Sequence, residues 1–247
     1  MGKIYTIVNQ KGGVGKTTTS INLGAYLGQF GQKVLLVDLD PQANLTYCLA
    51  ADDTQPGSYD LLHGAAASLV TQTTAQGIDV IAASPDLQTE TSGKGTARRL
   101  QKALEPVKDK YDVIIIDTPA TAGELQYNAL QAADRLIIPL EADAYNLQSL
   151  AQITEAAQQI KGSNPDLRIA GVLLTQYDPR PVINRQLQEM LKDNAAAQGI
   201  PFLGAVRKAV AVKEAAALQL SLYEYAPKCN PAADYMSIYE QLLKQEG

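Results

Sequence analysis

Asn9-Gln-Lys-Gly-Gly-Val-Gly-Lys-Thr-Thr18 decides how this chain reads. A β-branched run, Lys3-Ile-Tyr-Thr-Ile-Val8, leads into it, and an amphipathic segment from Thr18 to Phe30 leads out. Strand, glycine loop and helix in that order is a layout that holds a nucleoside triphosphate by its phosphates. Gly12, Gly13 and Gly15 are expected to take positive φ and bring bare backbone up to the ligand. Their N–H groups can then turn inward as an anion nest, with the positive end of the helix dipole behind them. Lys16 can reach the β and γ phosphates, and the Thr17 hydroxyl can ligate Mg²⁺. The ordinary phosphate-loop pattern wants a glycine where this chain has Gln10, and an extra lysine, Lys11, precedes the glycine pair.

The rest of the chain organises around that loop. Apolar runs at Ile4–Asn9, Val34–Asp38, Asp79–Ala82, Val113–Asp117, Leu136–Pro139, Ile169–Thr175 and Phe202–Val206 read as strands. Amphipathic segments Thr17–Phe30, Thr96–Lys108, Glu124–Ala132, Leu147–Lys161, Val182–Gln198, Val212–Leu218 and Ala232–Gln245 read as helices. The stretch Ala51–Gln76 has weak periodicity, with one short helix expected near Tyr59–Leu62. The strands are apolar throughout instead of alternating, so both faces of the sheet are covered. The expected fold is α/β: a single doubly wound, mostly parallel twisted sheet flanked by helices, one domain over 1–247.

Bulk properties bound the chemistry. With 247 residues, 46% of them hydrophobic, the chain can bury a sizeable core. Its first strand starts too early for a signal peptide and no apolar run approaches a membrane span, which points to the cytoplasm. Cys48 and Cys229 form no CxxC pair, and His63 is the only histidine, which argues against a His-based metal site or a Ser-His triad. The net charge of −5 argues against nucleic-acid binding taken alone, yet charge is uneven. Lys94, Arg98, Arg99 and Lys102 cluster without an acid, and eight basic residues stand against four acidic ones between Lys161 and Lys213.

Ligands of such sheets sit at the carboxyl ends of the strands. The second strand ends in Asp38-Leu-Asp-Pro-Gln42 and the fourth in Asp117-Thr-Pro119. Four hydrophobes followed by Asp117 are suited to a water-mediated Mg²⁺ partner. Of Asp38 and Asp40, one can lie near the Mg²⁺ shell while the other orients water at the γ phosphate; turn or capping chemistry is the competing reading.

These three motifs resemble those of the deviant Walker ATPases of the ParA/Soj family. Supporting likenesses run on through Asn128-Ala-Leu130, Ala133-Asp134, Ile138-Pro139, Gly171-Val-Leu-Leu-Thr175 and Glu214-Ala215. The resemblance implies that Lys11, Gly12, Gly13, Val14, Gly15, Lys16, Thr17 and Thr18 hold ATP; Arg207, which replaces a residue often found around the base pocket in relatives, is counted with the nucleotide-binding residues. Lys11 would cross a dimer interface to the partner's nucleotide and act there in trans. Lys16 would be the phosphate-loop lysine, Thr17 the Mg²⁺ ligand and Thr18 an α-phosphate contact. Asp40 would position or activate water, and Asp117 would be the Walker B carboxylate. Two ATP molecules would be sandwiched in a homodimer, with Gly12 small because the subunits meet there.

The resemblance further implies nonspecific DNA binding by the dimer, through Arg180 and Lys208 with Arg185 and Lys213 as neighbours. A monomer would bind weakly, at a dissociation constant on the order of 10⁻⁴ M, whereas a dimer doubles the patch. A ParB-like centromere-binding protein would stimulate hydrolysis and release the nucleoid-associated dimer. Departures are also visible: Ala120, Gln148-Ser149, Arg207 and Ala209 stand where relatives often carry other residues. The alternatives are a MinD-like membrane-associated division regulator and a positioning ATPase for a non-DNA cargo. The C-terminal segment has too little positive charge for the former and reads as a helix docked on the core.

Overall fold

Eight strands form one sheet in the order β3-β4-β2-β5-β1-β6-β7-β8 in the computed structural model, which describes residues 2–90 and 96–246. They are β1 Lys3–Ile7, β2 Val34–Asp38, β3 Thr71–Thr73, β4 Asp79–Ile81, β5 Val113–Asp117, β6 Arg135–Glu141, β7 Arg168–Tyr177 and β8 Phe202–Arg207. All pairings are parallel except that of β3 with β4. The helices are α1 Lys16–Gln29, α2 Asn44–Cys48, α3 Ser58–Leu62, α4 Ala67–Val70, α5 Arg99–Leu104 and α6 Glu124–Ala132 in the first half. They continue as α7 Asn146–Ile160, α8 Val182–Ala197, α9 Val210–Ala217, α10 Leu222–Tyr225 and α11 Asn230–Glu246.

Alternate residues of each central strand enter opposite cores, which is why the strands are apolar throughout. Leu36 of β2 and Ile115 of β5 pack with Ile21, Leu23 and Leu27 of α1 and with Tyr235, Ile238 and Leu242 of α11. Leu35, Val37, Ile114 and Ile116 face the other way, against Leu61 of α3, Leu100 and Leu104 of α5 and Ala129 of α6. Leu136, Ile138, Val172 and Leu174 extend that second layer under Leu150 and Ile153 of α7 and Leu191 of α8. The C-terminal helix is thus docked on the core, and no helix among the described residues is long and apolar enough to cross a membrane.

The predicted strands all form, and three local expectations need correction. The helix expected over Thr96–Lys108 runs only from Arg99 to Leu104 and gives way to a 3₁₀ turn, Glu105–Lys110. Pro106 accounts for the break, because it lacks the N–H that would bond back to the preceding turn and continue the α ladder; Glu105 itself stays in right-handed helical geometry, with φ −51° and ψ −45°. The stretch read as mostly loop holds α4 and the antiparallel edge strand β3, whose short polar Thr71-Gln-Thr73 has no hydrophobic period to detect. Gly13 and Gly15 have φ of 78° and 80°, but Gly12 is absent from the positive-φ residues. A Cβ on Gly12 would meet Ala120 Cβ at 3.8 Å, ordinary van der Waals contact, so nothing inside the chain requires glycine there. Lys94 lies outside the described residues.

Candidate nucleotide site at the carboxyl edge of the sheet

β1 lies between β5 and β6, with Ile7 in register with both Asp117 and Ile137. The loop leaving β1 therefore rises from the middle of the sheet and is flanked by the carboxyl ends of β2, β5, β6, β7 and β8. Three neighbours fix its path. Asn9 is fully buried, donating from Nδ2 to Pro139 O at 2.8 Å and accepting the Lys11 N–H at 2.9 Å. Thr175 at the end of β7 donates to Val14 O at 2.8 Å, and Gln176 donates from Nε2 to Gly13 O at 2.8 Å. Gly15 caps α1 in the left-handed region, and a Cβ there would press on Thr175 Cγ2 at 3.3 Å.

The inner arm of the loop is desolvated. Lys16 is buried and its Nζ donates to the Lys11 carbonyl at 3.2 Å, while no carboxylate of the described residues pairs with it directly. Burial lowers its pKa, partly offset by the negative charge of Asp117 and Asp40. Asp117 is fully buried and accepts from Thr17 Oγ1 at 2.7 Å and from Ser20 Oγ at 2.9 Å. Burial, and then the neighbouring Asp38 carboxylate, push Asp117 well above the ordinary carboxylate range. Such a centre holds a cation short of anions and carboxylates short of cations. A polyanion against Lys16 together with a divalent cation between Thr17 and Asp117 would relieve both, so these residues fit a phosphate–Mg²⁺ pair.

Asp38 and Asp40 part company in the structure. Asp38 is buried, in register with Asp117, and accepts the Thr46 N–H at 2.9 Å, the Thr46 hydroxyl at 2.8 Å and the Asp40 N–H at 3.0 Å. It ties α2 to the end of β2, the turn-and-cap role that competed with a catalytic one. Asp40 is half-buried and accepts only the Gln42 N–H, at 3.0 Å, among the described residues, and its negative charge is felt at Lys16.

The outer arm carries Lys11. Its ammonium pairs with Glu141 Oε2 at 2.7 Å and with Asp143, both at the end of β6. Hydrogen bonds to Asp143 and Glu141 raise its pKa. Glu141 is itself held, accepting from Gln176 Nε2 at 2.6 Å.

Beyond Gly13, Gly15 and Thr18 the cleft opens into a cavity of about 380 Å³, walled by Arg207, Lys208, Val210 and Tyr235. Lys213 also lines it, so two residues considered for DNA contact, Lys208 and Lys213, flank the cleft itself. The other two lie on the adjoining β7–α8 segment. Arg180 is highly exposed and forms a two-pronged pair with Asp178, whose carboxyl it holds down at about 2. Arg185 donates from Nη1 to the carbonyls of Pro179 and Arg180, at 2.7 and 2.8 Å.

The structure thus brings Lys11, Gly12, Gly13, Val14, Gly15, Lys16, Thr17, Thr18, Asp40, Asp117 and Arg207 to one edge. Reading the sequence missed Asn9, Ser20, Glu141, Asp143 and Asp234 as partners of that edge. Only Ser20 had a local signal, lying one turn after Thr17 on the face of α1 that meets β5.

A family model described as an AAA domain matches residues 2–169. The sporulation initiation inhibitor protein Soj of Bacillus subtilis (strain 168) is 45% identical over 201 residues, covering 78% of this chain and 79% of that protein. A plasmid partition protein from Borrelia burgdorferi B31, solved bound to AMPPNP, superposes with a TM-score of 0.86 at 26% identity, over 99% of this chain and 100% of that one. Cobyrinic acid a,c-diamide synthase from Mycobacterium smegmatis, solved with ADP and magnesium, gives a TM-score of 0.85 at 30% identity, over 100% and 96% of the two chains. With the two-lysine glycine loop, the Asp117 strand end and this breadth of likeness, the chain belongs to the ParA/Soj family of deviant Walker P-loop partition ATPases.

Proposed function

We propose that this chain is an ATP-driven DNA partition switch: a homodimer sandwiching two ATP molecules, bound nonspecifically to DNA and released by hydrolysis. The single observation that carries the reading is the pair of contrasting lysines in one loop, Lys16 buried without a carboxylate and Lys11 on the outer rim. Lys16 and the amides of Gly13–Thr17 take the β and γ phosphates, and Thr18 takes the α phosphate. Thr17, hydrogen-bonded to Asp117, would hold Mg²⁺ together with Asp117 and Asp40. When bound there, the cation would supply positive charge against the charge developing on the transferred phosphoryl group. Asp40 orients the attacking water. Lys11 exchanges Glu141 and Asp143 for the phosphates of the partner's nucleotide, where a second positive charge stabilises the transition state. Gly12, with room for a side chain inside its own chain, is kept small for the facing subunit.

Arg180, Arg185, Lys208 and Lys213 form the DNA-binding patch, on the same edge as the nucleotide. Each chain alone neutralises too few phosphates for firm attachment; two chains act bivalently, so DNA affinity follows nucleotide state. A ParB-like partner stimulates turnover and ends the bound state. The chain acts in the cytoplasm on the nucleoid, with plasmid or chromosome cargo chosen by that partner. Retention on duplex DNA at fixed salt, compared with ATP and with ADP, tests the switch. Strong retention with ATP and loss with ADP is expected; equal retention in both states would refute it.

A further inference from the structure

The cavity beyond the phosphate loop has one wall made by an ion pair that the departure at Arg207 brings with it. Arg207, the last residue of β8, donates to Asp234 of α11 from Nε at 2.9 Å and from Nη2 at 2.7 Å. The same carboxylate accepts the Arg207 backbone N–H at 2.9 Å. Three bonds into one carboxylate fix both the position and the direction of the guanidinium. The Asp234 side chain is 14% exposed and that of Arg207 is 41% exposed, so the acid is the buried anchor and the guanidinium is the group left at the cavity.

Resting on the nucleotide reading above, we propose that Arg207 contacts the nucleobase and that Asp234 is the positioning residue that holds it there. A planar guanidinium stacks on a flat purine ring. A free arginine would surrender its rotamer freedom at each binding event, whereas one clamped by Asp234 has already done so. The clamp also neutralises the cation and keeps it from swinging to the triphosphate, which Lys16 and the loop amides already serve. Base recognition and phosphate recognition are thereby divided between two ends of one cleft. Val206, Val210 and Tyr235 supply apolar surface around the same ring.

The test compares two probes on the full chain, Mg-ADP and inorganic tripolyphosphate with Mg²⁺, by equilibrium titration. Asp234→Asn and Arg207→Ala are each expected to weaken ADP by about tenfold while leaving tripolyphosphate within about twofold. Their combination should weaken ADP no further than Arg207→Ala alone, because the acid acts through the arginine. ADP affinity unchanged in both variants overturns the proposal, as does an equal loss for both probes, which would mark a merely structural tie between β8 and α11. If Asp234→Asn fails to fold, Arg207→Ala read against the same two probes decides. A wild-type chain that binds neither probe overturns the nucleotide reading itself, a separate result.

Discussion

Lys16 and Lys11 share one loop and have opposite surroundings. On the inner arm, Lys16 is buried, its only hydrogen-bond partner among the described residues a backbone carbonyl at 3.2 Å, and its charge is disfavoured by burial. On the outer arm, Lys11 is a third exposed and already paired with Glu141 and Asp143, which favour its charge. The first is a buried cation whose charge an anion would favour, and the second is a made contact that an anion must win by competition. On the proposed function the difference sets an order: a nucleotide would seat first against Lys16, and Lys11 would move only when something offers it better acceptors than two carboxylates.

Breaking the inner arm gives the largest effect. Lys16→Ala is expected to abolish nucleotide binding in a titration with ADP or ATP, since no other buried cation faces the loop among the described residues. Breaking the outer arm separates binding from turnover. Lys11→Ala should keep ADP affinity within a few fold and lower steady-state hydrolysis by about 10³, the scale of a charge supplied in trans. Equal loss of binding in both variants would erase the distinction.

Releasing the outer arm sharpens the comparison with a smaller effect. Glu141→Gln combined with Asp143→Asn frees Lys11 from its own chain and should let ATP-dependent assembly begin at a several-fold lower protein concentration. The size follows from exposed ion pairs, each worth about 0.2–1 kcal/mol after solvent screening. Light scattering against protein concentration would read it, and assembly that becomes harder would show that the two acids help rather than hold Lys11.

The smallest effect lies beneath the inner arm. Asp38 and Asp117 hold their protons more tightly in the fold than at the ordinary value of 3.8, chiefly through burial. Their contribution to stability is therefore full below that value and is lost as pH rises through the raised pKa values. The nucleotide-free chain should melt a few degrees lower at neutral pH than at mildly acidic pH on this account, and Asp117→Asn should flatten that slope in thermal melts.

Much of this was legible in the chain because the signals are local. The glycine spacing places Lys16 and Thr17, an apolar run ending in Asp announces Asp117, and buried strands announce themselves by composition. What escaped is separated in sequence or defined by absence. Lys11 finds Glu141 and Asp143 at separations of 130 and 132 residues, and only β1 lying beside β6 brings them together. By residue type alone Asp38 and Asp40 are alike; the tie that occupies Asp38, from Thr46, lies eight residues along the chain. Gly12 looked like a conformational glycine, yet its backbone does not use the freedom. The helix broken at Pro106 was legible and was overrun by the periodicity around it.

The central claim is that this loop joins two chains around ATP. Sedimentation of Asp40→Ala, in which turnover is expected to stop, tests it most directly with ATP, with ADP, and beside the Lys11→Ala/Asp40→Ala double variant. A dimer with ATP, a monomer with ADP and a monomer for the double variant in either nucleotide are expected. An ATP-bound Asp40→Ala that stays monomeric, or a dimer indifferent to nucleotide and to Lys11, would contradict it.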